Sequence, residues 1–106
     1  MVDNPAENRF EVRVDGKLAG ATVYRPLEHE YAFMHTEIDP SYEGMGLGSV
    51  LVRAALDEMR GRGLGVLPYC PFVLRFVQRH PDHLDLVPPG VRDRFGLPPA
   101  EERVGG

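Results

Sequence analysis

Apolar residues alternate with polar ones from Arg9 to Val14, where Phe10, Val12 and Val14 fall on one side, and a period of two predicts a strand with one buried face. Asp15-Gly16 follows as a tight hairpin pair, and Leu18 to Tyr24, with its small and branched residues, reads as the partner strand. Pro26 breaks that strand, and Tyr31 to Ile38 forms a third, ended by Asp39-Pro40. After a glycine-rich stretch the period changes. From Leu47 to Arg60, Ser49, Arg53, Asp57 and Arg60 make one narrow polar stripe, while Val50, Leu51, Val52, Ala54, Ala55, Leu56 and Met59 cover most of the rest, which predicts a largely buried helix. Gly61 and Gly63 stop it, Leu64 to Tyr69 is a short apolar strand, and Pro71 opens a second helix that ends near His80, before Pro81. The pattern also admits a final short strand over Asp82 to Val87. From Pro88 onward proline, glycine and charge replace periodicity, so residues 88–106 read as an irregular tail with one helical turn around Val91 to Phe95 and disorder at the end. The expected fold is α/β, in the order β-β-β-α-β-α, with a single domain over residues 1–87.

The segment between the third strand and the first helix carries the most chemistry. Tyr42-Glu43-Gly44-Met45-Gly46-Leu47-Gly48-Ser49 removes Cβ atoms at alternate positions, so that backbone N–H groups can approach an oxyanion. The helix that follows adds the positive end of its dipole. A phosphate or pyrophosphate is the anion this predicts; the competing reading is a tight strand-to-helix turn with no ligand. A nucleoside-triphosphate loop would need a lysine after its last glycine, and the chain's single lysine is Lys17, far upstream. A dinucleotide site would need Gly-x-Gly-x-x-Gly and an acidic residue about 20 positions on, where Leu64 to Val66 is apolar.

Charge and composition narrow the classes. The net charge is −4 and the basic residues are scattered without aromatic interleaving, which leaves no electrostatic footprint for nucleic acid. No apolar run approaches the roughly 18 residues of a membrane span, and Met-Val-Asp-Asn-Pro-Ala-Glu lacks the segments of a signal peptide, so the expected location is the cytoplasm with no membrane partner. One cysteine excludes an intrachain disulfide, and no Cys/His cluster has the spacing of metal ligands. A chain of 106 residues supports one core.

His35-Thr36-Glu37-Ile38-Asp39-Pro40, Gly44-Met45-Gly46-Leu47-Gly48-Ser49, Pro68-Tyr69-Cys70-Pro71-Phe72-Val73 and Arg79-His80-Pro81, in that order, resemble the small stand-alone branch of the GNAT superfamily of acetyl-CoA-dependent acyltransferases. The resemblance spans roughly residues 8 to 84. It implies a GNAT-like mixed sheet that lacks the N-terminal helical pair commonly found beside the acceptor groove, leaving that groove open or completed by another subunit. In the superfamily's Arg/Gln-x-x-Gly-x-Gly/Ala loop, Gly46 and Gly48 match, and Glu43 stands where a basic or amide residue is usual. The cofactor implied is acetyl-CoA. Its pyrophosphate would lie along Glu43, Gly44, Met45, Gly46, Leu47, Gly48 and Ser49, and its pantetheine arm would pair with the strand edge near Glu37 and Ile38, bordered by Cys70 and Phe72.

The implied reaction is attack of a neutral amine on the acetyl thioester. It requires an N–H aimed at the carbonyl oxygen, by resemblance near Glu37 or Ile38, together with a base for the ammonium and stabilisation of the leaving thiolate. His35 and Glu37, two apart on a strand, share a face and are the candidate bases, direct or through water; both also suit purely structural roles. Thr36 faces the other side. The superfamily's Asn-x-x-Ala-x-x-x-Tyr pattern falls with its asparagine at Cys70 and its tyrosine at Val77, so Tyr69 or water would have to replace the usual acid, or none is needed. Cys70, ahead of Pro71 at a helix N-terminus, is either a nucleophile that accepts the acetyl group or a small pocket-lining side chain. The function expected is therefore N-acetyl transfer from acetyl-CoA to an amine of a small molecule, peptide or protein. The alternative is a catalytically weak acetyl-CoA-binding or interaction module. Acceptor and oligomeric state are not written in these residues.

Overall fold

The structure is a computed structural model, and it describes residues 1–99. The disorder expected at the C-terminal end falls on residues 100–106, outside the described residues. Five strands form one sheet in sequential order: β1 (Val2–Asn4), β2 (Arg9–Val14), β3 (Lys17–Pro26), β4 (Glu30–Ile38) and β5 (Gly65–Pro68). The first four are antiparallel, and β4 and β5 run parallel. A parallel pair needs a crossover, supplied by helix α1 (Leu47–Arg62); helix α2 (Pro71–Arg79) follows β5. Asp15 and Gly16 both adopt positive φ, 51° and 79°, as the two-residue hairpin between β2 and β3 demands. The mixed α/β order expected from the sequence is present, with two differences at its ends.

The first difference is β1, which the pattern does not predict. Three residues carry no usable period; β1 is held by partners elsewhere. Asn4 Nδ2 donates to Glu11 Oε2 at 3.0 Å, Tyr24 Oη donates to Asp3 Oδ1 at 2.6 Å, and Arg62 Nη2 donates to Asp3 Oδ2 at 2.8 Å. The second is the final strand expected over Asp82 to Val87: Pro81–Leu86 is instead a 3-10 helix. It docks on the polar stripe of α1, where Arg60 makes a forked contact to Asp85 (2.6 and 3.0 Å) and reaches the carbonyl of Asp82 at 2.7 Å. His83 Nε2 lies 2.9 Å from Asp57 Oδ1. The stripe that periodicity marks as polar is thus the seat of the C-terminal segment, and these contacts turn the segment away from the edge of β5.

The core lies between one face of the sheet and both helices. Leu51, Val52, Ala55, Leu56 and Met59 of α1 meet Phe10, Tyr24, Phe33 and Val66 of the sheet and Val73, Phe76 and Val77 of α2. Each large apolar side chain so buried contributes about 1.5–3 kcal/mol. Val50, grouped with them by the helical wheel, is 57% exposed. A 3-10 helix over Pro89–Phe95, at the place where one helical turn was expected, ends at Gly96 with φ 65°, and the buried Leu97 joins the same core.

Candidate functional site

The site is created by a single extra residue in β4. Val23 pairs with His35 and Tyr24 with Phe33, so Met34 has no opposite number and forms a β-bulge. A bulge inverts the alternation beyond it. Phe33 faces the core with Tyr24; past Met34, Thr36 takes that face, opposite Thr22, while His35 and Glu37 turn to the other side of the sheet. His35 and Glu37 are brought together there, Nε2 to Oε2 at 3.8 Å, with side chains 64% and 80% exposed. They share a face as the sequence predicts, and it is the face away from the helices.

The same point is where the sheet opens. β4 pairs with β5 only from Glu30 to Phe33, and the last main-chain link across the gap is the Cys70 N–H donating to the Phe33 carbonyl at 2.7 Å. Beyond it β4 continues to Ile38 with β3 on one side and, among the described residues, no strand on the other. Asp39 N–H donates to the Ala19 carbonyl of β3 at 2.8 Å. By alternation the main-chain groups of Glu37 also face β3, and those of Thr36 and Ile38 face the opening.

Cys70 closes the bottom of this opening. Its side chain is 2% exposed, and its Sγ donates to Thr36 Oγ1 at 3.4 Å, while Thr36 Oγ1 lies 2.9 Å from Thr22 Oγ1. Thr36, which the sequence places only on the side opposite His35 and Glu37, is a further participant; its link to Cys70 depends on the bulge, which no residue type announces. Cys70 is also the N-cap of α2, with Pro71 in the first turn and no side-chain cap. Val77, at the position where the usual tyrosine would stand, is buried in the core, and Tyr69 is half exposed with its ring 5.1 Å from that of Phe95.

Below Ile38 the chain passes through a 3-10 turn (Pro40–Tyr42), in which Asp39 Oδ1 accepts from the Ser41 N–H at 2.8 Å, and enters the glycine turn. Glu43 is exposed and extended, Gly44 and Gly46 have φ 83° and 72°, and Met45 is exposed. Gly46 is the N-cap of α1, with no side-chain cap and no acidic residue in the first turn. The N–H groups of Leu47, Gly48 and Ser49 are therefore the orphan donors of the helix, the first intrahelical bond being Val50 N–H to the Gly46 carbonyl at 3.3 Å. The three glycines serve two purposes. Gly44 and Gly46 satisfy backbone conformations that disfavour a Cβ, with open space around them, whereas a Cβ on Gly48 would lie 2.7 Å from Phe72 Cζ. Gly48 is buried under Phe72, so its missing side chain lets α2 approach α1, a packing role that neither the anion reading nor the tight-turn reading of the glycines includes. Among the described residues no group of three His, Cys, Asp or Glu is arranged to hold a metal. No helix among them is long and apolar enough to cross a membrane.

Comparison with known proteins bears on this arrangement directly. Over 58 residues the chain is 29% identical to the ribosomal protein bS18-alanine N-acetyltransferases of Escherichia coli K12 and of Shigella flexneri. The aligned part is 55% of this chain and 39% of each relative, so the chain spans about two fifths of their length. A broader match, to the family described as GCN5-related N-acetyl-transferase, covers residues 9–86. That range takes in the opened pair of strands, the glycine turn and both helices, and it makes the chain a member of the GCN5-related N-acetyltransferase family.

Proposed function

We propose that the protein is an N-acetyltransferase that transfers the acetyl group of acetyl-CoA to the amine of an acceptor. One observation carries this reading: the unpaired edge of β4 leads through the glycine turn directly to an uncapped helix N-terminus. An extended arm ending in a pyrophosphate fits that sequence of features, since the edge offers main-chain hydrogen bonds and the helix offers free N–H groups and a positive dipole end. When bound, acetyl-CoA supplies the activated acetyl thioester. Gly44 to Ser49 hold the pyrophosphate; Thr36 and Ile38 pair with the extended arm; the Ile38 N–H is the donor for the carbonyl oxygen, because Glu37's own faces β3. His35 and Glu37, exposed on the far side of the sheet, take the ammonium proton directly or through water. Cys70, bonded to Thr36 and buried, lines the end of the cleft, where Phe72 packs over Gly48. Acceptors enter from solvent as small molecules, peptides or proteins.

The test is thiol release. The purified protein is mixed with acetyl-CoA and a panel of amines that includes peptides with an N-terminal alanine, the residue in the relatives' name. Release that depends on both enzyme and amine is expected. Tight acetyl-CoA binding without release across the panel would instead establish the binding module, and no binding at all would refute the site.

A further inference from the structure

On the face of the sheet that the helices leave bare, one carboxylate is nevertheless buried. Glu11 of β2 pairs with Ala21 of β3, which pairs with Glu37 of β4, so the three side chains share that face. Glu11 is 1% exposed, and its oxygens accept from Arg9, Arg13 and Asn4. Burying a charge is costly unless it is paired, and here the pairing is two to one: two guanidiniums on a single carboxylate leave a surplus of positive charge on β2. Arg9 is engaged through Nε, which among the described residues leaves its two terminal nitrogens without a partner. Beside it is a cavity of about 240 Å³, several times the volume that one water occupies in the liquid. Arg9 lines one side, Glu37 and Asp39 line the other, and the small residues Ala19 to Ala21 of β3 lie between them. Asp39 Oδ1 is already held by the Ser41 N–H, whereas Glu37 is 80% exposed and is the candidate base for the acceptor's ammonium. The cavity therefore adjoins the place where an acceptor must stand, and its opposite sides carry opposite charge. β2 and β4 are two strand spacings apart, about 10 Å. A molecule lying across β3 with its amine at Glu37 meets Arg9 several bonds further along.

We propose that this cavity selects the acceptor: an amine that carries a carboxylate several bonds away, the carboxylate held by Arg9 and the amine delivered past Glu37 to the edge of β4. This rests on the acetyl-transfer reading and names its acceptor class. The amine nitrogen bonds to the acetyl carbon as the carbon–sulfur bond breaks; its proton passes to Glu37 or His35, and CoA leaves as the thiolate. A guanidinium fork receives a carboxylate through two parallel N–H groups, and Glu11 is a positioning residue that keeps the Arg9 fork at the cavity. Thiol release is measured with two matched pairs of acceptors, ε-aminocaproate against its amide, and the amidated tripeptide Ala-Gly-Glu against amidated Ala-Gly-Gln. Wild type is expected to show a kcat/KM about tenfold or more higher for the carboxylate member of at least one pair, the scale of one charge-assisted bond. A preference in the first pair alone identifies a small amino acid, in the second alone an acidic peptide, and in both a carboxylate recognised wherever it is carried. Arg9→Gln should use the two members of a pair equally, and a ratio within one variant is insensitive to a general loss of activity. Arg13→Gln gives up an equivalent bond to Glu11 without lining the cavity and should keep the preference. Equal kcat/KM within both pairs in wild type overturns the inference and leaves acetyl transfer intact, as does a preference that survives Arg9→Gln or disappears in Arg13→Gln. No release with these pairs while other amines are acetylated likewise overturns the inference alone; no release with any amine overturns the acetyl-transfer reading and the inference with it.

Discussion

At the scale of single residues, Cys70 and the glycines allow the clearest tests. A nucleophilic Cys70 would have to leave the hydrogen bond to Thr36 and carry the acetyl group in a position only 2% exposed. A backbone donor and bound geometry supply transition-state stabilisation without it. Cys70→Ala is therefore expected to keep kcat within about tenfold, with no acetyl thioester trapped on the wild type by intact-protein mass spectrometry. A fall of a thousandfold, about 4 kcal/mol, with an acetylated wild type would make Cys70 the nucleophile. Gly46 has a different sensitivity. Gly46→Asp places a Cβ at φ 72° and a negative charge beside the orphan N–H groups, which costs roughly 1–2 kcal/mol of stability from the left-handed backbone and should abolish CoA binding in a chain that still folds by circular dichroism. Unchanged CoA affinity would show that the anion lies elsewhere. The candidate residues of the turn are legible in sequence because glycine has few other reasons to recur there. The division of labour between Gly46 and Gly48 is not, since it depends on a phenylalanine 24 positions away from Gly48.

At the scale of elements, β1 and its partner show how a charged residue comes to be buried. Glu11 is almost fully covered, yet all its bonds are made: Arg9 Nε donates at 2.7 Å, Arg13 Nη2 at 2.8 Å and Asn4 Nδ2 at 3.0 Å. The hydrogen bonds from Arg13, Asn4 and Arg9 hold its carboxyl down to about 2 against the burial that would raise it. A carboxyl whose folded pKa lies below its unfolded value stabilises the fold above the unfolded value, and that contribution drains as the pH falls from about 4.5 towards about 2. Urea midpoints measured across that window should fall with pH in the wild type and fall less steeply in Glu11→Gln. The variant should also be less stable at neutral pH, by about 1–3 kcal/mol, the range for hydrogen bonds to a charged group. A parallel pH course would mean that Glu11 is equally bonded in the unfolded chain. Alternation places Glu11 between Phe10 and Val12 on the far side of β2 but does not reveal that it is buried, because the groups covering it arrive from β1 and from its own neighbours.

At the scale of the whole molecule, one core serves the sheet, both helices and the C-terminal segment. Leu97 is buried among residues that include Val87, and Val91 and Phe95 pack against the same cluster. Arg92, also buried, donates from Nε to the Val87 carbonyl at 2.9 Å and ties the last 3-10 helix to the end of the preceding one. Leu97→Ala should therefore destabilise the entire domain, by about 2–4 kcal/mol as for other buried leucines. Denaturant unfolding followed by far-ultraviolet circular dichroism would measure it. A loss below about 0.5 kcal/mol, the usual range for surface changes, would mean that this segment contributes nothing to the common core. A helix-covered face and a bare face follow from the same arrangement: the helices lie against Phe10, Tyr24 and Phe33, and His35 and Glu37 stand on the side without them.

The sequence by itself determined the elements β2 through α2, the hairpin and the glycine turn, because periods of two and of 3.6, proline and glycine act over a few neighbouring residues. Only the tertiary structure decided which face each side chain of β4 takes beyond Met34, since a bulge is defined by the register of the strand opposite. It also decided that residues 81–86 dock on α1 rather than extend the sheet, through Arg60 and Asp57, and that Val2 to Asn4 become a strand, through Glu11, Tyr24 and Arg62. In each case the deciding contact joins residues distant in the chain, and a local pattern carries no record of a partner that only folding brings within reach.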